Sequence, residues 1–320
     1  MALEKFSKKN LIQFYRKKKD YKIISWQLTK WCNYNCPYCT LKHEDPKKMN
    51  DKYHHFPKWE DLEKPAKKLN KMIEEQDSKV EIILIGGEVT WLPLKKLMDE
   101  CLTSKKICNI RITSNMSQKL SWWEEFSDLC RARNVNLKVL CSIHLSQIKD
   151  WNAFAENAIY LGKEWPKFTS VTGVVNNENI DSILEKFVDL KNRGYEAKFS
   201  PMIERGYDNK IVELTEENKE KLKEYVTEAN SPFYVELENK EPIKTNRMEI
   251  MICSDCNFNG FNCISDKFKY TVDGKLYVSS CQSARILTDK LESQAVKCKQ
   301  NVCSMCAVER VWKDGAIDRS

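Results

Sequence analysis

Three cysteines fall inside the short segment WCNYNCPYCT, at Cys32, Cys36 and Cys39, with three residues and then two between them. The run before them, YKIISWQL, is apolar and reads as a strand, so the thiols sit on a loop at a strand end. A protein-held iron–sulfur cube takes four thiolates. A loop offering three either recruits a distant fourth or leaves one iron open to another molecule. Structural zinc is the competing use of clustered cysteines, but zinc sites pair two CxxC knuckles, and this loop has only Cys36 and Cys39 in that relation.

The rest of the chain is that of a globular protein of 320 residues, long enough for one large domain and a smaller one. No apolar stretch approaches the roughly 20 residues that span a bilayer, and the opening MALEKFSKKNLIQFYRKKKD lacks the apolar core of a secretion signal. A cytoplasmic protein with no membrane partner is expected. Fourteen cysteines in such a lysine-rich chain point to metal ligation before disulfides. The net charge of +7 is spread over lysines opposed by many glutamates, which reads as a solvated surface, and nucleic acid is not the expected partner. An acidic substrate or leader peptide is compatible with it.

Strand-like runs IISWQL, KVEIILI, NIRITS, LKVLCSI, SVTGVV and AKFSPM alternate with amphipathic stretches near 57–75, 92–104, 119–133, 150–164, 180–193 and 215–229. This is the pattern of six βα units and a parallel sheet. Helix-start signals support it: Pro57 with Glu60 and Asp61, Ser121 before WWEEF, and Asn179 with Asp181. Right-handed crossovers would curl the sheet into a partial barrel, an α/β fold whose reactive groups gather at the C-terminal strand ends. We expect a basic helix over 1–20, a partial (β/α)6 barrel with a bridging helix over 21–230, and a small cysteine-rich β-hairpin/α domain over 231–320.

The cysteine spacing, Tyr38 before the last cysteine, and the position after a first strand resemble the radical S-adenosylmethionine (SAM) superfamily over about residues 21–205. The resemblance implies a 4Fe–4S cluster on Cys32, Cys36 and Cys39, with SAM chelating the open iron. One electron then cleaves the sulfonium, and the 5'-deoxyadenosyl radical abstracts a substrate hydrogen, chemistry that the cofactor carries while the protein supplies placement. Gly86, Gly87 and Glu88, at the end of the second strand, match the family's GGE motif and imply contact with the SAM amino group, although Val89 stands where relatives often have proline. Ser114 and Asn115 end the third strand, and Ser142 the fourth, at positions implying contact with the SAM ribose or carboxylate. Val174 or Val175 would flank adenine. His144 is a candidate acid or base or substrate contact, with a backbone-capping histidine as the structural alternative. Cys141 is a candidate hydrogen-atom donor beside the reaction chamber, whereas Cys101, Cys108 and Cys130 read as core.

In the tail, Cys263 and Cys281 stand at the ends of FKYTV and LYVSS, runs joined by Asp273-Gly274, a hairpin signal. Cys303 and Cys306 form a following CxxC. The arrangement resembles the twitch module, the shorter relative of the SPASM domain. It implies an auxiliary 4Fe–4S cluster on Cys263, Cys281, Cys303 and Cys306, with a zinc knuckle as the alternative. Cys253, Cys256 and Cys298 are either spare thiols or part of a second auxiliary cluster. Together these features imply a radical SAM oxidoreductase served by a reductant such as flavodoxin or ferredoxin. The first expected substrate is a peptide, as in ribosomal peptide maturation. The alternatives are a small sugar, alcohol or amine, or, from another class, a cluster-bearing RNA-binding or redox-sensing protein.

Overall fold

The computed structural model describes residues 9–16, 19–39, 56–204, 212–223, 225, 233–245, 250, 257–265, 267–271, 273–278, 286–293, 295–298 and 308–316. In chain order come β1 (Leu11–Arg16), β2 (Tyr21–Thr29), α1 (Trp59–Glu74), β3 (Lys79–Gly86), α2 (Leu94–Glu100) and β4 (Ile107–Ser114). There follow α3 (Leu120–Ala132), β5 (Asn136–Ile143), α4 (Trp151–Glu164), β6 (Thr169–Val175), α5 (Ile180–Asn192), β7 (Lys198–Phe199), β8 (Met202–Ile203) and α6 (Glu216–Lys223). The tail holds β9 (Phe233–Leu237), β10 (Ile243–Thr245), β11 (Asn262–Ser265), β12 (Lys267–Tyr270), β13 (Leu276–Val278), β14 (Ile286–Thr288), β15 (Val296–Lys297) and β16 (Val308–Trp312). These elements fall in two compact units: a larger one of 26–227 with 271–274, and a smaller one of 1–25 with 228–270 and 275–320. No helix among the described residues is long and apolar enough to cross a membrane.

The larger unit is mixed α/β. Strands β3 to β7 pair in parallel, and the order β2-β3-β4-β5-β6-β7 follows the chain without reversal. With right-handed crossovers, a sheet whose order never reverses carries its helices on one face. Accordingly α3 rests on β5, and α4 and α5 on β6. The helix-covered face is apolar: Val80, Ile82, Leu84, Ile110, Ile112, Leu137 and Val139 are at most 1% exposed. The intervening residues Arg111, Thr113, Lys138 and Leu140 point the other way and are partly exposed. This alternation is the period-two geometry of a strand with one dry face.

Local chemistry sets the boundaries. Helix α1 begins after Pro57, where the Asp61 carboxylate accepts from the Lys58 N–H at 3.1 Å, and α4 begins where Asp150 accepts from the Ala153 N–H at 3.1 Å. Helix α3 starts at Leu120, before the expected Ser121. The expected helix at 92–104 is shorter, with a 3₁₀ turn at Val89–Trp91 ahead of α2. The sixth strand AKFSPM is broken into β7 and β8 around Ser200-Pro201, because proline has no N–H to give to a ladder.

The described cysteines of the larger unit differ in burial. Cys101 and Cys130 are core at 2% and 0% exposed, whereas Cys108 is partly exposed and its thiol reaches the Val80 carbonyl at 3.4 Å, which corrects its expected core position. Cys141 is 0% exposed and shares its face with Leu137 and Val139, under the helices. It is therefore turned away from Ser142, and burial pushes its thiol far above the usual range. The expected hydrogen-atom donor beside a reaction chamber is not what this position provides.

The smaller unit is built on an antiparallel sheet of order β10-β9-β1-β16-β11-β15. Where a basic helix was expected over 1–20, Leu11–Arg16 is a strand pairing with β9 and β16. The segment LIQFYR is rich in β-branched and aromatic residues, and its partners lie more than two hundred residues away, so the local charge pattern misleads. Leu11 and Phe14 enter a core with Phe233, Val235, Phe258 and Val311. The buried Gln13 is satisfied within the sheet, donating to Glu236 Oε2 at 2.7 Å and accepting from Arg310 Nε at 2.9 Å. The expected hairpin forms: Phe268 faces Val278 and Tyr270 faces Leu276, and the turn closes with the Gly274 N–H donating to the Thr271 carbonyl at 3.0 Å. Gly274 has φ +74°, which glycine adopts without strain. Cys263 lies on the preceding strand β11, in register with Val296 and Val311, and packs against the core in which Cys298 is buried. Cys253, Cys256, Cys281, Cys303 and Cys306 lie outside the described residues.

Candidate active site

The cysteine loop leaves β2 at Thr29 and is gripped by the ends of β3, β4 and β5. At β3, the Gly87 N–H donates to the Thr29 carbonyl at 3.0 Å, and the Glu88 N–H to the Trp31 carbonyl at 2.9 Å. A Cβ on Gly86 would lie 2.2 Å from the Thr29 oxygen, and one on Gly87 would lie 1.9 Å from the Trp31 oxygen. The two glycines are thus needed to let one backbone lie against another, immediately before Cys32.

Glu88 points inward and is 1% exposed. Its carboxylate accepts from the Asn115 N–H at 2.6 Å, the Thr90 hydroxyl at 2.7 Å and the Thr90 N–H at 3.2 Å. Burial raises its pKa, opposed by these hydrogen bonds. Ser114 is 1% exposed, and its hydroxyl accepts from the Met116 N–H at 3.0 Å. Met116, at φ +60°, completes the tight turn that aims Asn115 back at the loop. The Asn115 amide donates to Asn33 Oδ1 at 2.9 Å and lies 3.8 Å from Cys32 Sγ. Of the expected pocket residues, Asn115 holds the cysteine loop directly, while the Glu88 carboxylate holds the Asn115 backbone and Thr90, and the Ser114 hydroxyl closes the turn at Met116. Ser142 is 8% exposed at the end of β5, on the face away from the helices.

From β5, His144 Nδ1 shares a hydrogen bond with the Tyr38 hydroxyl at 2.9 Å, and the two rings stack with centroids 5.9 Å apart. Burial pulls the His144 imidazole down to about 4, so it is neutral at pH 7. Burial, with the Cys36 sulfur as the next cause, pushes the Tyr38 hydroxyl well above its ordinary range. A neutral imidazole facing a phenol positions a ring and is no reservoir of protons at neutral pH. One residue group further on, Gln147 Oε1 accepts from the Asn35 N–H at 2.9 Å. The Asn33 amide in turn donates to the Ser117 hydroxyl at 3.0 Å; for Asn33 and Asn35 the available sequence signal is their polarity between the cysteines, whereas Ser117 and Gln147 carry none.

Cys32 and Cys39 are partly exposed, Cys36 is 6% exposed, and the Cys39 N–H donates to the Cys36 carbonyl at 3.2 Å in a tight turn. The Tyr34 N–H donates to Cys32 Sγ at 3.4 Å. Donors aimed at a sulfur favour the thiolate a cluster needs. The donor set, three thiols on one braced turn, fits an iron–sulfur cluster. Among the described residues no three His, Cys, Asp or Glu are gathered as a metal site.

The family model described as the Radical SAM superfamily matches residues 26–190, just over half of the chain. The chain belongs to the radical SAM superfamily. The matched span of this radical SAM chain contains the cysteine loop and all three strand ends that grip it. No curated protein matches it. Among solved structures it is similar to Streptococcus suis SuiB bound to S-adenosylmethionine, at 14% identity and a TM-score of 0.49, covering 84% of this chain and 64% of that one. It is similar also to SuiB bound to the precursor peptide SuiA, at 15% identity and a TM-score of 0.45, covering 80% and 59%. The chain thus spans about three fifths of the length of those structures.

Proposed function

We propose that this protein is a radical SAM oxidoreductase acting on a peptide, with Cys32, Cys36 and Cys39 holding a 4Fe–4S cluster in a partial barrel. When bound, the cluster and SAM supply a 5'-deoxyadenosyl radical for hydrogen abstraction. The chain's own residues do the rest. Gly86 and Gly87 seat the loop by backbone contact, Asn115 and the Tyr34 N–H orient Cys32, and the neutral His144 fixes the Tyr38 ring beside Cys36. The observation that carries the proposal is the three-thiol loop at the end of β2, braced from three successive strand ends.

Its test is anaerobic reconstitution with iron and sulfide, then SAM and dithionite, with 5'-deoxyadenosine measured by mass spectrometry. The expected result is formation by the parent protein and a loss of at least about 100-fold in Cys36→Ala, as removal of one thiolate from a three-thiolate site would cause. Equal formation by the two proteins rules the proposal out.

The tail's resemblance to twitch and SPASM modules supports both the peptide substrate and an auxiliary 4Fe–4S cluster on Cys263, Cys281, Cys303 and Cys306, with flavodoxin or ferredoxin as the electron source. Cys281→Ala is expected to lower iron by about four atoms per chain, one cubane, while part of the substrate-free SAM cleavage persists. Iron content equal to that of the parent removes the auxiliary assignment.

A further inference from the structure

Between β4 and α3 the chain turns at residues 115–118, and side chains hold the turn. The Asn115 N–H goes to the Glu88 carboxylate, the Met116 N–H to the Ser114 hydroxyl, and the Ser117 N–H to Asn115 Oδ1 at 3.1 Å. The carbonyls of Met116 and Gln118 both accept from the Asn157 amide, at 3.2 and 2.8 Å. Asn157 is an unusual residue for its place. It stands on α4 at 1% exposure, among Phe154, Ala158 and Leu161, in the apolar stripe that faces the core. Burying an amide costs free energy unless its groups are paired, and Asn157 Oδ1 has no hydrogen-bond partner among the described residues. An apolar side chain would fill the position without that cost, so the two donations to the turn are what an asparagine adds here. The turn is strained as well: Met116 holds φ +60° without being glycine, and strained backbone persists only where its surroundings over-determine it.

What this turn presents is a two-pronged grip on Asn33, the residue after Cys32. Asn115 Nδ2 donates to Asn33 Oδ1 at 2.9 Å, and Asn33 Nδ2 donates to the Ser117 hydroxyl at 3.0 Å, so both ends of one amide are held from one turn. The strained Met116 lies between the two prongs, and its dihedrals set their spacing. We propose that Asn157 is a positioning residue for the cluster on Cys32, Cys36 and Cys39: from the helix layer it fixes the shape of the 115–118 turn, and through the grip on Asn33 it sets Cys32. The inference deepens the radical SAM reading above and rests on it. Asn157 acts at one remove, since its own bonds go to the turn, and the turn carries the contacts to the cysteine loop.

The test is a double-mutant cycle on the anaerobically reconstituted, dithionite-reduced full chain. The part of the 4Fe–4S electron paramagnetic resonance signal that SAM alters reports this cluster, and its decay under an iron chelator is timed. Asn33→Ala is expected to speed that decay about tenfold, as loss of an outer-shell partner does, and Asn157→Leu by a similar factor. Asn157→Ser, smaller and also without the amide, takes its place, alone and in the double variant, if the leucine protein does not fold. Asn33→Ala combined with Asn157→Leu should decay within about twofold of Asn33→Ala alone, because the two changes break one path. Leu161→Ala, one turn further along the same stripe, loosens the helix without touching the turn and should stay within about twofold of the parent. An unchanged decay in folded Asn157 variants overturns the proposal. So do effects that multiply in the double variant, and so does a Leu161→Ala decay as fast as that of Asn157→Leu. A parent signal that SAM leaves unaltered strikes the radical SAM reading itself, and this inference with it, whereas the cycle strikes only the role of Asn157.

Discussion

Gly87→Ala is expected to strip the protein of its first cluster: iron should fall by about four atoms per chain, and 5'-deoxyadenosine formation by at least about 100-fold. The added methyl would stand 1.9 Å from the Trp31 oxygen and 2.7 Å from the Lys30 oxygen. Both are main-chain atoms, so no side-chain rotation relieves the clash. Trp31 precedes Cys32, and relief must shift the loop by about an ångström, beyond the roughly 0.5 Å that a cluster or catalytic constellation tolerates. Overpacking of this kind costs about 1–3 kcal/mol of stability, so the variant should still fold, and circular dichroism can establish that. Iron analysis and ultraviolet–visible spectra after reconstitution then decide; a folded Gly87→Ala protein carrying the parent's full iron would show that the glycines do not seat the loop.

Glu81→Gln is expected to destabilise the larger unit by about 3 kcal/mol, measured by urea unfolding at pH 7. Glu81 is wholly buried, and Lys138 is only 13% exposed, so neutralising the carboxylate leaves a nearly dry ammonium without its counter-ion. Arg111, at 37% exposed, can turn to water, which keeps the expected loss at the low end of the range for broken buried pairs. The double change Glu81→Leu with Lys138→Met should recover most of the loss, because an apolar pair of similar volume carries no desolvation penalty. An unfolding midpoint unmoved in Glu81→Gln would mean that the triad contributes nothing to stability.

Most of the larger unit was legible in the sequence because its determinants are local. Alternating runs such as KVEIILI and LKVLCSI fix strands, and acidic first turns fix helix starts. The six βα units are all present. What local pattern could not show was where side chains turn. GGE reads as ligand-binding backbone, yet the glycines meet Thr29 and Trp31, and the Glu88 carboxylate meets Asn115 and Thr90. The Cys141 thiol is adjacent to Ser142 in sequence but faces the helices, because successive residues of a strand point to opposite faces. The N-terminal segment was misread for a different reason. LIQFYR becomes a strand through partners near residues 235 and 311, and pairing at such separation leaves no periodic trace in twenty residues.

The tethers of the cysteine loop come late in the chain. The three thiols are complete at residue 39, but their supports arrive at Gly87, Asn115, His144 and Gln147. A ribosome-bound chain emerging only as far as α1 therefore displays reactive sulfurs on an unbraced segment. Iron reaching the three thiols before Gln147 is made would meet no braced loop, so folding of the strand ends is expected to precede metallation.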